Sequence, residues 1–226
     1  LLIADIPLSI VPQKMFAGLN SFVLLCIPGF ILAGNLMNAG GITERIIGFT
    51  NNFVGHIRGG LGLANVGSSM GFAGISGTAL ADTASIGAVM IPAMKKEGYD
   101  ADFSAAVTSS SSTVGPIVPP SLPMIIVGTL ASVSIGDLFL AGAVPGVLLG
   151  LSFMLVTYVI SVKRKYPKGE RQPIGVIVKS FTGAFWALLM TFVILFGILG
   201  GYFTPTEASI VAVVYALVVG MFVYKE

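Results

Sequence analysis

The chain has 226 residues, of which 55% are hydrophobic and 10% charged, with a formal net charge of +2. A soluble domain carries about 25% charged residues, so this composition excludes one, and the lack of a basic patch interleaved with aromatics excludes a nucleic-acid partner. The apolar runs are long and do not alternate as barrel strands would, which points to an all-α integral membrane protein. The 29 glycines and 12 prolines suit transmembrane helices that pack closely and break on purpose. The chain starts without Met and stops just past an apolar run, so it reads as a fragment of a longer protein, with no signal peptide.

Residues 1–20 contain Pro7 and Pro12 and read as a loop or interfacial segment. Residues 21–37 read as a spanning helix bent at Pro28; Cys26 inside it excludes an internal disulfide and suits packing. Residues 43–58 are amphipathic: Ile46, Ile47, Phe49, Phe53 and Val54 fall near one face, as in an interfacial helix or lateral arm. The lone His56 on this stretch makes a metal site improbable. Residues 61–73 rise, 74–78 break and 79–94 return. Each limb is about half a bilayer long at roughly 1.5 Å per residue, so the unit is expected to be a re-entrant hairpin with its tip near mid-membrane. Residues 101–113 form a half-helix, 115–120 an unwound stretch, and 121–132 complete that crossing. Residues 134–137 form a short loop, and residues 138–162, 181–199 and 210–224 are further spans. Trp186, well inside its span, suits packing. The domain reading is 1–58 for lead-in, first span and arm; 59–133 for hairpin and discontinuous helix; and 134–226 for the later spans.

Lys163, Arg164, Lys165, Lys168 and Arg171 put their loop in the cytoplasm by the positive-inside rule. Counting from there places Arg58, Lys95, Lys96 and Lys225 on the same side, and residues 1–20, Asp137 and 204–207 outside. Reading 71–82 as a full crossing would split the Lys/Arg clusters between the two sides, which supports the hairpin.

Two apolar stretches, 71–82 and 109–123, thus carry broken backbone at membrane depth, which is tolerated only where protein or a polar cavity satisfies it. Paired breaks of this kind mark ion and substrate sites in secondary transporters. The hairpin tip offers carbonyls and the hydroxyls of Ser76 and Thr78; the second break offers carbonyls from Gly115 to Pro120. Hard oxygens without a carboxylate cluster suit a small monovalent cation, with Na+ the natural candidate. Asp82 is either a functional intramembrane carboxylate or a helix-start residue satisfying backbone N–H groups. The run from Ser109 to Thr113 lines either a hydrophilic path or a small-residue packing face, the latter reading applying above all to Ser109 and Ser110, and Asn65, Ser68 and Ser69 read as interhelical hydrogen bonders. Thr204, Pro205 and Glu207 fit a capping box. There is no nucleophile–base set, HExxH or P-loop, so the chain is not expected to be an enzyme, and ATP-driven transport would need another subunit.

The segments IPGFILAGNLMNAGGIT, GFAGISGTALADTASIGAVMIPAMKKEGYD, AAVTSSSSTVGPIVPPSLPMIIVG, SIGDLFLAGAVPG and FTPTEAS resemble, in order, the large membrane subunit of tripartite ATP-independent periplasmic (TRAP) transporters. The resemblance implies a sodium-driven elevator transporter in the bacterial inner membrane. It also implies a small membrane subunit, a periplasmic substrate-binding protein and an organic-acid substrate. It further implies that Ser76, Thr78, Gly115, Val118 and Pro120 hold sodium, the last three largely through backbone carbonyls, that the Thr78 hydroxyl faces the substrate cavity, and that 43–58 is an arm helix; Asp82 is taken as a second substrate-binding candidate. Residues 12–16 and the stretch LVTYVISVKRKYP resemble the sialic-acid branch. The family's inverted second half, with a second hairpin, is not in this chain, and no substrate-binding arginine is identifiable. A binding-protein-independent citrate or dicarboxylate carrier, and a channel or purely structural subunit, remain the alternatives.

Overall fold

The structure is a computed structural model that describes residue 7 and residues 9–224. Among the described residues it is helical, without named strands. The helices are α1 (Ile10–Leu19), α2 (Cys26–Ala39), α3 (Ile42–Val54), α4 (Gly60–Ser76), α5 (Ala79–Lys96), α6 (Ala101–Ser112), α7 (Leu122–Ala131), α8 (Ile135–Lys163), α9 (Ile174–Leu199) and α10 (Pro205–Val218). A short 3-10 turn leads into α2, and a π-helical turn follows α10. Four stretches are long and apolar enough to cross a membrane: Phe22–Ala39, Ile135–Lys163, Ile174–Leu199 and Pro205–Tyr224. They coincide with the four continuous spans expected, and Leu151, Leu155 and Phe192 along them are exposed as a lipid-facing surface requires.

Several boundaries differ from expectation for identifiable reasons. The lead-in is not all loop: α1 forms because Pro12 sits in its first turn, where a missing N–H costs nothing. The rest of that lead-in, residues 1–6 and 8, lies outside the described residues, as does Lys225 at the other end. Pro28 likewise falls in the first turn of α2 and bends no helix midway. Asp137 lies in the first turn of α8, not in a loop; Ser134 caps that helix by accepting the Asp137 N–H at 3.2 Å. The stretch before residue 181 is continuous with α9. The expected capping box at Thr204 and Glu207 is present.

The largest correction is in α4, which runs through Gly74 to Ser76, so the break between α4 and α5 is only Gly77 and Thr78. Gly74 is there for close approach: a Cβ on it would stand 2.6 Å from the Thr191 Cγ2 of α9. In return the Thr191 hydroxyl donates to the Gly74 carbonyl at 2.8 Å. The limbs, of 17 and 18 residues, are therefore longer than a half-bilayer estimate.

The segments assigned to one side by charge meet at one end of the bundle. Gly59 N–H donates to the Pro167 carbonyl at 3.0 Å, and Gly169 N–H to the Gly55 carbonyl at 3.1 Å. Arg164 and the Tyr166 hydroxyl both donate to one Asp100 carboxylate oxygen, at 2.9 and 2.6 Å. The feet of α4 and α5 lie here too, where Gly60, Leu61, Glu97 and Tyr99 line a shared cavity of about 280 Å³. At the opposite end the Thr206 hydroxyl donates to the Phe22 carbonyl at 3.3 Å, and Gly136 faces Ile198.

The main core joins α2, α3, α4, α9 and α10 through Phe30, Met37, Ile46, Phe72, Met190 and Ala212. A second cluster, with Tyr99, Phe103 and Tyr166 in ring contact, closes the basic end.

Candidate functional site

The turn between α4 and α5 follows from three residues. Gly77 adopts φ +60°, a left-handed conformation that glycine reaches without Cβ strain, and its N–H closes α4 on the Ala73 carbonyl at 3.0 Å. Thr78 is extended and caps α5, its hydroxyl accepting the Ala81 N–H at 3.2 Å. Ser76 thus ends one helix two residues before another begins, and both helix termini face the same small volume.

The second break lies alongside. After Ser112 the chain runs through turns and bends to Ser121, which caps α7 by accepting the Met124 N–H and donating to the Pro116 carbonyl at 2.5 Å. The Leu122 N–H donates to the Gly77 carbonyl at 3.3 Å. A Cβ on Gly77 would stand 2.5 Å from the Pro120 oxygen, and one on Gly115 would stand 3.1 Å from the Thr78 oxygen. Ser76, Thr78, Gly115 and Pro120, drawn from two separated segments, therefore come together. The Val118 side chain packs against Gly146 of α8.

Asp82 is fully buried, and it is not the cap of α5. One carboxylate oxygen accepts the Ser76 hydroxyl at 2.6 Å; the other has no hydrogen-bond partner. Beside the tip, a cavity of about 260 Å³ opens between α2 and the paired helices, with Phe30, Asn35 and Asn38 facing Ser76, Thr78 and Ser85. Asp82 does not line it. Asn35 is a residue the sequence reading passed over; its signal was an amide inside an otherwise apolar span.

The serine run divides by face. Ser109 and Ser110 are exposed, whereas Ser111 and Ser112 are buried. Ser69 and Ser111 share a hydrogen bond of 2.9 Å, Asn65 donates to the Thr108 hydroxyl at 2.7 Å, and Ser68 donates to Thr50 at 3.2 Å. These polar contacts fasten α4 to α6 and α3 inside an apolar bundle.

Residues 1–226 match throughout the family described as "Tripartite ATP-independent periplasmic transporter, DctM component". The chain belongs to the DctM family. Its relatives include the sialic acid TRAP transporter permease protein SiaT of Haemophilus influenzae, 47% identical over 95% of this chain and 35% of SiaT. The sialic acid TRAP transporter large permease protein SiaM of Vibrio cholerae is 45% identical over 94% of the chain and 50% of SiaM. The C4-dicarboxylate TRAP transporter large permease protein DctM of Pseudomonas aeruginosa is 42% identical over 94% of the chain and 50% of that protein. This DctM-family chain thus spans a third to a half of the relatives' lengths. The family and these relatives are transporter permease components, not enzymes.

Proposed function

We propose that this chain forms part of the large membrane subunit of a sodium-gradient-driven elevator transporter in the bacterial inner membrane. Its cargo is an organic acid of the sialic-acid or C4-dicarboxylate type, the two classes printed in the names of its relatives. A periplasmic substrate-binding protein delivers the cargo, and a small membrane subunit stands beside this one.

The observation that carries the reading is the meeting of Ser76, Thr78, Gly115 and Pro120 at two helix breaks. Three features support placing that meeting in the membrane interior. Gly74 bonds to Thr191 in the body of α9. Gly34, within the α2 span, backs onto Ile75. The ten residues of α7, about 15 Å of helix, separate the tip from the 132–134 turn. Both feet of the α4–α5 pair lie at the basic end, which fits a re-entrant hairpin entered from the cytoplasm.

The donor set suits sodium. Hydroxyl and carbonyl oxygens are hard ligands, and no group of three or more His, Cys, Asp or Glu converges among the described residues. Ser76 and Thr78 would hold the ion through their oxygens, with Gly115 and Pro120 closing the cradle through backbone. Bound there, sodium supplies a positive charge against the helix-end oxygens. The absence of a Cβ at Gly115 lets the second break approach the Thr78 carbonyl. The cavity beside Thr78 is the reading's substrate side, and α3, packed on α4 and α9, its arm.

The test is uptake by the complete transporter in proteoliposomes with its binding protein. Saturable, concentrative uptake that needs an inward sodium gradient is expected, and Ser76→Ala or Thr78→Ala should weaken sodium activation more than folding. Unchanged sodium activation in both variants counts against the site. Uptake without the binding protein favours the carrier alternative.

A further inference from the structure

We infer that Asp82 is a positioning residue that acts through Ser76, accepting the serine's hydrogen bond so that the hydroxyl does not donate to the Thr78 carbonyl and the oxygens of the hairpin tip can face a cation. The inference rests on the sodium reading above and assigns a role to a side chain outside that ligand set.

The Ser76 hydroxyl has one proton and two acceptors within reach: an Asp82 carboxylate oxygen at 2.6 Å and the Thr78 carbonyl at 3.3 Å. The contact to Asp82 is the shorter of the two, so the hydroxyl points at Asp82. Two groups then change role. The Ser76 oxygen, which also accepts the Thr78 N–H at 3.4 Å, turns its remaining lone pair away from Asp82, and the Thr78 carbonyl, which accepts the Asp82 N–H at 3.3 Å, keeps its second lone pair beside Gly115. Without Asp82 the serine would donate to Thr78 and remove one oxygen from the cradle.

The carboxylate itself is incomplete. Asp82 is 0% exposed, and its second oxygen has no hydrogen-bond partner. The ion pairs among the described residues join Arg164 to Asp100 and Asp102, far along the chain from Asp82. The Asp82 side chain is fixed by the Ser76 hydroxyl at 2.6 Å.

The measurement is sodium binding by isothermal titration to the complete transporter in nanodiscs, in choline buffer. Asp82→Ala, which removes the acceptor, is expected to weaken sodium about tenfold, the order of one buried hydrogen bond. The double variant Ser76→Ala/Asp82→Ala is expected to bind within about twofold of Ser76→Ala alone, because the effect passes through the serine. Wild-type affinity in Asp82→Ala, or losses that simply multiply in the double variant, overturns the inference. If Asp82→Ala does not assemble, Asp82→Glu displaces the acceptor; a sodium constant equal to wild type there also overturns it. A parent transporter that binds no sodium overturns the sodium reading and this inference together, so the two failures are told apart.

Discussion

Gly115 lies so close to the Thr78 carbonyl that a Cβ on it would stand 3.0 Å from the carbonyl carbon and 3.1 Å from the oxygen. Gly115→Leu should therefore push the second break away from the hairpin tip and abolish uptake. Gly183, on α9, has nothing within 4 Å of its would-be Cβ. Gly183→Ala should raise stability by about 0.5–1 kcal/mol through helix propensity. Transport by Gly115→Leu at the parent rate would show that the two breaks need not touch.

Gly77 combines a left-handed backbone with a would-be Cβ 2.5 Å from the Pro120 oxygen. Gly77→Ala meets both a conformational penalty of about 1–2 kcal/mol and a backbone clash that no rotamer relieves. A clear fall in melting temperature in detergent is expected, larger than for Gly115→Ala, whose φ is ordinary. Equal melting temperatures for the two variants would contradict this.

Asn65 donates to Thr108 from the fully buried face of α4. Asn65→Ala should cost about 1 kcal/mol, the scale of an interhelical hydrogen bond in a membrane protein, read from unfolding in mixed micelles. A loss several times larger would mean that the unpartnered Asn65 carbonyl oxygen serves some further contact.

Asp100 lies at the basic end, where the Tyr166 hydroxyl and then Arg164 hold its carboxyl below the usual carboxylate range. A depressed folded-state value stabilises the fold above the ordinary carboxylate pKa and loses that contribution as pH falls through the depressed value. Tyr166→Phe should move the Asp100 titration up towards the ordinary range, observable by carbon-13 NMR of its carboxyl. An unmoved titration midpoint would assign the shift to Arg164 alone.

The turn between α4 and α5, the unwound segment, the four spans and the capping box were legible because each rests on local chemistry. Gly-Thr after a serine, Pro119 and Pro120 after Gly115, and Thr-Pro-Thr-Glu state their backbone consequences in the sequence. What was not legible depended on a partner. Gly74 looked like a break because glycine weakens a helix, yet Thr191, remote in sequence, makes it a contact point instead. Ser109 and Ser111 are alike as residues, and only the position of α4 decides which is buried. Asn35 became visible as a cavity residue once α2 stood opposite Thr78. The packing of the Val118 side chain on Gly146 likewise depends on where α8 lies.

The join between Gly55–Gly59 and Pro167–Gly169 is written in main-chain atoms, with Arg58 and Lys168 paired across it. Peptide groups are the same for every non-proline residue. The Arg58 and Lys168 side chains can therefore drift independently while the stitch persists, whereas a Cβ on Gly55, Gly59 or Gly169 would stand under 3.0 Å from a neighbour. Covariation between Arg58 and Lys168 would be weak even though they lie in a clamp joining distant parts of the chain, and deletion of one residue should disturb the clamp more than replacement of either.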